Sequence, residues 1–333
     1  MDLSHLGLAI VLLLILGAEF VNGFTDAPNA IATVVSTRVL SPMRALIMAS
    51  ILNFLGAGTA LYFGAKVAGT IGKDIINPEM VDLTTVGAAM VGIIVFSTWA
   101  WRYGLPTSES HALIAGLTGA GLAKAGPSVL VIDGWIKVAK GLAFSTFLGF
   151  GGGLLLMTLI YWAFRNATPR MVKKLFGPLQ ILSAGFMAYS HGGNDGQKFM
   201  APFALALYLG GLIPTNEVPP WVMALCAVTM GFGTAFGGWR IVKTMGLSLT
   251  KLESYHGFAA ETSAATTITL ATHFGIPLST THTINTSIMG VGATRRLSAV
   301  RWGVSRNIIL AWVLTFPVCG FIAYVISKLA TWF

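Results

Sequence analysis

Two aspartates stand among glycines and amides inside otherwise apolar sequence. Asp26 lies in Gly23-Phe24-Thr25-Asp26-Ala27-Pro28-Asn29, and Asp195 in Gly192-Gly193-Asn194-Asp195-Gly196-Gln197-Lys198. A charged side chain at the centre of a membrane helix costs about 3 kcal/mol on insertion scales unless it is paired or hydrated. Glycines beside each acid let a helix unwind and free its carbonyls. Those carbonyls, with the amide oxygens of Asn29, Asn194 and Gln197, would surround each carboxylate with hard oxygen ligands. Such a cage suits sodium, whereas an acid alone suits a proton. An aspartate that caps a helix or pairs with Lys198 is the plainer account of one residue, but it does not explain a matched pair.

The second chemical element is a hydroxyl cluster, also present twice. Gly104-Leu105-Pro106-Thr107-Ser108-Glu109-Ser110-His111 returns, roughly 170 residues later, as Gly275-Ile276-Pro277-Leu278-Ser279-Thr280-Thr281-His282. Proline in a first turn followed by hydroxyls predicts a helix start. There the unpaired N–H groups and partial positive charge meet Thr107, Ser108 and Ser110, or Ser279, Thr280 and Thr281. Two such starts facing each other would hold a tetrahedral oxyanion by many neutral donors. Ordinary Ser/Thr capping accounts for either cluster alone. His111 and His282, three residues after Ser108 and Ser279, either relay protons or lock their neighbours by hydrogen bonds. No zinc-ligand spacing is present.

Three further ionisable groups are candidates for charge balance. Lys198 stands where the first motif has Asn29, so it either replaces a bound cation, meets the anion or bridges to Asp195. Glu109 sits in the first hydroxyl cluster opposite Thr280, and opposes an anion unless it points away or is protonated. Glu261 belongs to a cation path or pairs with another helix, and Glu19 is open in the same way. Asn53 and Gln180 read as interhelical contacts. Cys226 and Cys319 lie in apolar runs and read as small buried hydrophobes.

The elements that must position these groups are membrane helices. The chain has 333 residues, 55% hydrophobic and 10% charged, with a mean hydropathy of +0.75; soluble domains carry about 25% charged residues. Apolar blocks run near 3–24, 43–64, 86–101, 106–123 and 136–164, then near 176–192, 219–239, 257–274, 277–293 and 304–331. The short stretches 29–40 and 198–212 read as second halves of broken helices. The predicted fold is therefore an all-α polytopic membrane protein of two inverted-topology repeats with broken helices. Residues 1–164 form the first membrane repeat, 165–177 a basic cytoplasmic linker and 178–333 the second repeat. The apolar run from Leu6 to Leu16 reads as a retained first helix.

Five crossings per half, with both termini outside, put all ten arginines and Lys173, Lys174, Lys243 and Lys251 in inside loops. Three lysines in 124–140 run against this count, and a re-entrant 106–123 would change it. The net charge of +9 reflects that loop bias, since no basic stretch lies outside the short loops; nucleic acid is excluded as a partner.

The runs GFTDAPNAIATVVSTRVLSP, HGGNDGQKFMAPF, GLPTSESHALIAG and GIPLSTTHTI resemble the inorganic phosphate transporter (Pit) family, in the right order and over nearly the whole chain. The resemblance is to a compact prokaryotic member and implies an inverted-repeat fold with helical hairpins and symport of phosphate with sodium or protons. The oxygen groups around the acids favour sodium, so the expectation is a sodium/phosphate symporter of the cytoplasmic membrane, working by alternating access. It places Asp26, Asn29 and Asp195 at cation sites, and Thr107, Ser108, Ser110, Ser279, Thr280 and Thr281 around phosphate. Two residues depart from the family pattern: Thr25, where relatives often have Asn or His, and Glu109, where they commonly have Ser. Sodium is expected as co-transported substrate, with no cofactor; a homodimer is left open. Proton-coupled phosphate transport, metal–phosphate transport and sulfate transport are the alternatives. A membrane phosphotransferase would need Ser108 with His111 or Ser279 with His282 as nucleophile and base, and two symmetric half-sites argue against it.

Overall fold

The computed structural model describes residues 3–330, and it is helical almost throughout. The first half comprises α1 (Leu3–Ser36), α2 (Pro42–Gly58), the short α3 (Ala60–Phe63), α4 (Lys66–Asp74), α5 (Leu83–Arg102), α6 (Glu109–Ala125) and α7 (Ile132–Ala163). The second comprises α8 (Pro169–Asp195), α9 (Met200–Leu209), α10 (Pro220–Phe236), the short α11 (Trp239–Lys243), α12 (Ser254–His273), α13 (Thr280–Ala293) and α14 (Trp302–Ala330). Among the described residues there is no β-strand, only an isolated bridge between Ile76 and Leu130.

Among the described residues five helical segments are long and apolar enough to cross a membrane: His5–Ser36, Pro42–Phe63, Leu83–Arg102, Ile132–Ala163 and Trp302–Ala330. A sixth forms if α10 and Trp239–Gly246, bent by 63°, make one span. The protein is an all-α polytopic membrane protein. Two of the expected crossings, α6 and α13, have 17 and 14 residues. At 1.5 Å per residue they rise only about 26 and 21 Å, short of the ~30 Å hydrocarbon core.

One connector is built twice, and it sets both short helices in place. At the end of α5 the Leu105 N–H donates to the Ala100 carbonyl at 3.0 Å and the Gly104 N–H to that of Trp101 at 2.9 Å. At the end of α12 the Ile276 N–H donates to Ala271 at 2.9 Å and the Gly275 N–H to Thr272 at 3.0 Å. This Schellman close needs a left-handed residue, supplied by Gly104 (φ +68°) and Gly275 (φ +67°). Serines then cap the next helices: Ser108 Oγ accepts from the His111 N–H at 3.3 Å and Ser279 Oγ from the His282 N–H at 3.2 Å. Pro106 and Pro277 thus lie in the connector, two residues before the cap, and not in the first turn as expected. The serine side chain can satisfy an orphan N–H at the cap position, which proline cannot.

The halves exchange partners. Helix α6 lies along α14 while α13 lies along α7, and α10 lies along α1 while α2 lies along α8. Such reciprocal packing supports the expectation of repeats related by a pseudo-twofold axis. The backbones approach closely, as small residues allow in membranes. A Cβ on Gly119 of α6 would stand 2.0 Å from the Gly320 oxygen, and one on Gly290 of α13 would stand 2.1 Å from that of Phe150.

The two aspartate motifs differ in backbone. In the second half α8 ends at Asp195, a turn follows, and α9 begins at Met200, as a broken helix should. In the first half the expected break is absent: α1 runs unbroken to Ser36 through Pro28. Proline removes one N–H, so the Phe24 carbonyl loses its helical partner. Gly238 packs over this point, its Cβ position 2.9 Å from the Pro28 ring and 3.0 Å from the Phe24 oxygen. Residues 29–36 are therefore a continuation of α1 and not a separate half-helix.

Candidate functional site

An unbroken α1 carries Asp26 and Asn29 on one buried face, and the N-terminal turn of α13 meets them there. Asn29 Nδ2 donates to Thr281 Oγ1 at 3.0 Å and approaches Thr280 Oγ1 at 3.4 Å. Thr281 Oγ1 lies 3.4 Å from both oxygens of Asp26, and Thr280 Oγ1 donates to Asp195 Oδ2 at 3.1 Å. One turn of α13 thus touches the aspartates of both halves. Lys198, completely buried, ion-pairs with Asp195 Oδ1 and donates to Ser110 Oγ at 2.5 Å. Ser110 Oγ in turn donates to the Leu278 carbonyl at 2.9 Å, linking the start of α6 to that of α13. The N-terminal turn of α13 therefore meets the acids directly, where its partial positive charge offsets carboxylate charge, while that of α6 reaches Asp195 only through Lys198.

Seven of the residues singled out from the sequence join this network: Asp26, Asn29, Ser110, Asp195, Lys198, Thr280 and Thr281. Ser108 and Ser279 serve as the N-caps described above, and Ser279 Oγ also lies 2.5 Å from His282 Nδ1; Thr107 is buried beside them. The rings of His111 and His282 meet edge to face at 4.7 Å, and His282 stacks on Trp312 at 3.7 Å. Asn194 donates from Nδ2 to Thr272 on α12 at 2.8 Å, and its Oδ1 has no hydrogen-bond partner among the described residues. Glu109 points away from the cluster, held by Thr25 Oγ1 at 3.0 Å and Ser97 Oγ at 2.7 Å. Glu261 ties three helices, accepting from Thr33 Oγ1 at 2.5 Å, from Gln180 Nε2 at 3.2 Å and from Ser183. A cavity of about 250 Å³, lined in part by Lys66, Gln197, Thr272 and His273, reaches the second motif.

Sequence reasoning missed His191. Its place one turn before Asp195, at the end of the apolar stretch of α8, is the available signal. Asn53 Nδ2 donates to Thr234 Oγ1 at 3.1 Å, so Asn53 Oδ1 is the acceptor facing His191 Nδ1 at 2.9 Å. That puts the ring hydrogen on Nδ1. The Nε2 lone pair then faces Asp195 Oδ2 at 3.4 Å. Asp26, His191 and Asp195 offer one ligand atom each, all within 4.8 Å of one another. Facing acceptors repel unless a cation lies between them, so this corner is chemically suited to positive charge.

Membrane-crossing helices around a buried polar pocket, reached from a side cavity, define a membrane transporter. The model of the phosphate transporter family matches residues 22–323. The chain is 47% identical over 306 residues, 92% of its length and 91% of the relative's, to a probable low-affinity inorganic phosphate transporter of Rhizobium meliloti (strain 1021). It is 39% identical over 335 residues, 99% of each chain, to a protein of the same description from Bacillus subtilis (strain 168). A solved structure described as the sodium-dependent phosphate transporter superposes with a TM-score of 0.87 at 25% identity, covering 98% of this chain and 99% of that one. The chain belongs to the phosphate transporter family, and it is a transporter, not an enzyme.

Proposed function

We propose that the chain imports inorganic phosphate together with sodium, as a symporter working by alternating access in the cytoplasmic membrane. The observation that carries this reading is the α13 turn: Asn29 bridges Thr280 and Thr281, whose hydroxyls reach Asp195 and Asp26. Hydroxyl donors suited to an anion and carboxylates suited to cations therefore meet at one turn of helix. A phosphate with one or two negative charges, placed beside two aspartates, leaves an excess of negative charge that Lys198 offsets only in part. At about 4 Å and an effective dielectric near 20, each added cation gains roughly 4 kcal/mol per unlike pair before desolvation. Sodium at Asp26 and Asp195 thus makes anion binding favourable. The solved neighbour's description as sodium-dependent points the same way.

In this reading Thr107, Ser108, Ser110, Ser279, Thr280 and Thr281 line the phosphate, and Asp26, Asn29, Asn194 and Asp195 serve the cations. The repeats 1–164 and 178–333 move against each other about the linker 165–177, and both termini face outside. Sodium is cargo and no cofactor takes part; a homodimer is a candidate assembly. The test is uptake of radiolabelled phosphate into proteoliposomes at fixed pH. Uptake should follow an inward sodium gradient, and equal uptake with potassium in its place would overturn sodium coupling.

A second reading has its own observation. The His191 nitrogen between two carboxylates suits a divalent cation better than sodium, which prefers oxygen alone. Transport of a metal–phosphate complex would use that corner, and uptake would then require a divalent ion and ignore the sodium gradient.

A further inference from the structure

Glu19 and Asn22 lie on the same face of α1 as Asp26 and Asn29. The spacing Glu19, Asn22, Asp26, Asn29, Thr33 steps by three and four residues, so these side chains form one stripe. All five are buried, and the stripe rises about 21 Å along an unbroken helix. Thr33 at one end is already bonded to Glu261. The other end is not satisfied. Asn22 Nδ2 donates to Glu19 Oε2 at 3.1 Å and lies 3.8 Å from the Met230 sulfur. Glu19 Oε1 and Asn22 Oδ1 have no hydrogen-bond partner among the described residues, although both side chains are 0% exposed. Two neighbouring buried acceptors therefore lack a donor.

The repeat relation sharpens the point. Asn22 precedes Asp26 by the same four residues as His191 precedes Asp195, and His191 Nε2 also lacks a hydrogen-bond partner. The second half, however, carries a built-in cation: Lys198 pairs with Asp195. The first half has neutral Asn29 at that place and an additional acid, Glu19, where the second half has Ala188. Among the described residues no lysine, arginine or histidine ion-pairs with Glu19; the charged groups within its electrostatic reach are Asp195, Lys198 and Glu109. A buried carboxylate in such a place is neutralised by a proton or by a mobile cation, and the unpaired amide oxygen of Asn22 beside it is the further ligand a cation would use.

We propose that Glu19 Oε1 and Asn22 Oδ1 form a separate sodium station on α1, about 6 to 10 Å along the helix axis from Asp26. The proposal rests on the sodium-coupled reading. A carboxylate and an amide oxygen are hard ligands suited to sodium, and the stripe leads directly from this station to Asp26.

The test is equilibrium binding of radioactive sodium to the full chain in nanodiscs with phosphate present. Glu19→Gln keeps the shape and removes the charge; Asn22→Leu removes the amide oxygen and decides the matter if the first variant does not fold. Each should bind one sodium fewer per chain than the parent, while Asp26→Asn loses a different ion, so that Glu19→Gln/Asp26→Asn loses both. Unchanged stoichiometry in Glu19→Gln and Asn22→Leu, alongside a loss in Asp26→Asn, would overturn this station alone and leave a water as the bridge. Absence of saturable sodium binding in the parent chain would overturn the coupling reading and this station together.

Discussion

Thr25 Oγ1 lies 3.0 Å from Glu109 Oε1, so the first aspartate motif and the first hydroxyl cluster touch through these two side chains. The hydroxyl has a single hydrogen and also lies 2.8 Å from the Val21 carbonyl. Glu109 stays clear of the hydroxyl cluster because Thr25 and Ser97 hold it against α1 and α5.

That contact should register as energetic coupling. A double-mutant cycle over Thr25→Val and Glu109→Ala, read by thermal unfolding in detergent, should be non-additive by about 1 kcal/mol, the scale of a buried hydrogen bond. Additive effects would mean that the two side chains do not interact.

Lys198 is the fixed cation of the pocket. Lys198→Met leaves Asp195 buried without its partner and should cost about 3–5 kcal/mol of stability. Adding Asp195→Asn should restore most of that stability, while phosphate uptake stays lost in both variants. Recovery of uptake in the double variant would remove the pair from the transport machinery.

Close helix contacts predict which glycines tolerate a methyl group. Gly119→Ala and Gly290→Ala drive a Cβ into a backbone oxygen at 2.0 and 2.1 Å, and each should cost about 1–3 kcal/mol or more through overpacking. Gly151→Ala on α7 meets nothing within 4 Å and should melt like the parent. Equal melting of all three would refute the α6–α14 and α7–α13 packing.

Outside the membrane, Asp82 caps α5 and pairs with Lys124 at 2.5 Å. Partial burial raises its affinity for a proton, but the hydrogen bonds from Lys124 and Thr85 outweigh that and lower its pKa. A lowered folded pKa contributes stability above the unfolded value of about 3.9, lost as pH falls through the folded value. The pair is largely exposed, so Lys124→Ala should cost less than about 1 kcal/mol at neutral pH. The difference from the parent should vanish in acid while uptake is unaffected; a difference that grows in acid would contradict the assignment.

Much of this was legible in the residues. Acids and hydroxyl clusters in matched, apolar settings single out residues that the fold brings together, seven of them in one buried network. The two helix starts are legible from the proline–hydroxyl spacing, but the serines and not the prolines mark where each helix begins. What failed was anything decided by a distant neighbour. The glycine before Asp26 and the short stretch 29–40 suggest a break in α1, but the helix continues to Ser36 with Gly238, far away in sequence, packed over Pro28. Glu261 was left open because Thr33, Gln180 and Ser183 reach it from two other helices. His191 owes its orientation to Asn53, which no local pattern reveals.

Mutual dependence of anion and cation binding is the claim on which the rest depends. Titrate purified protein with phosphate at low and high sodium, and with sodium in the absence and presence of phosphate, at constant pH and ionic strength. Linkage requires the two affinities to rise by the same factor, on the order of 5–150-fold for a coupling of about 1–3 kcal/mol. Affinities that ignore each other would contradict a shared pocket at Asp26, Asp195 and the α13 turn.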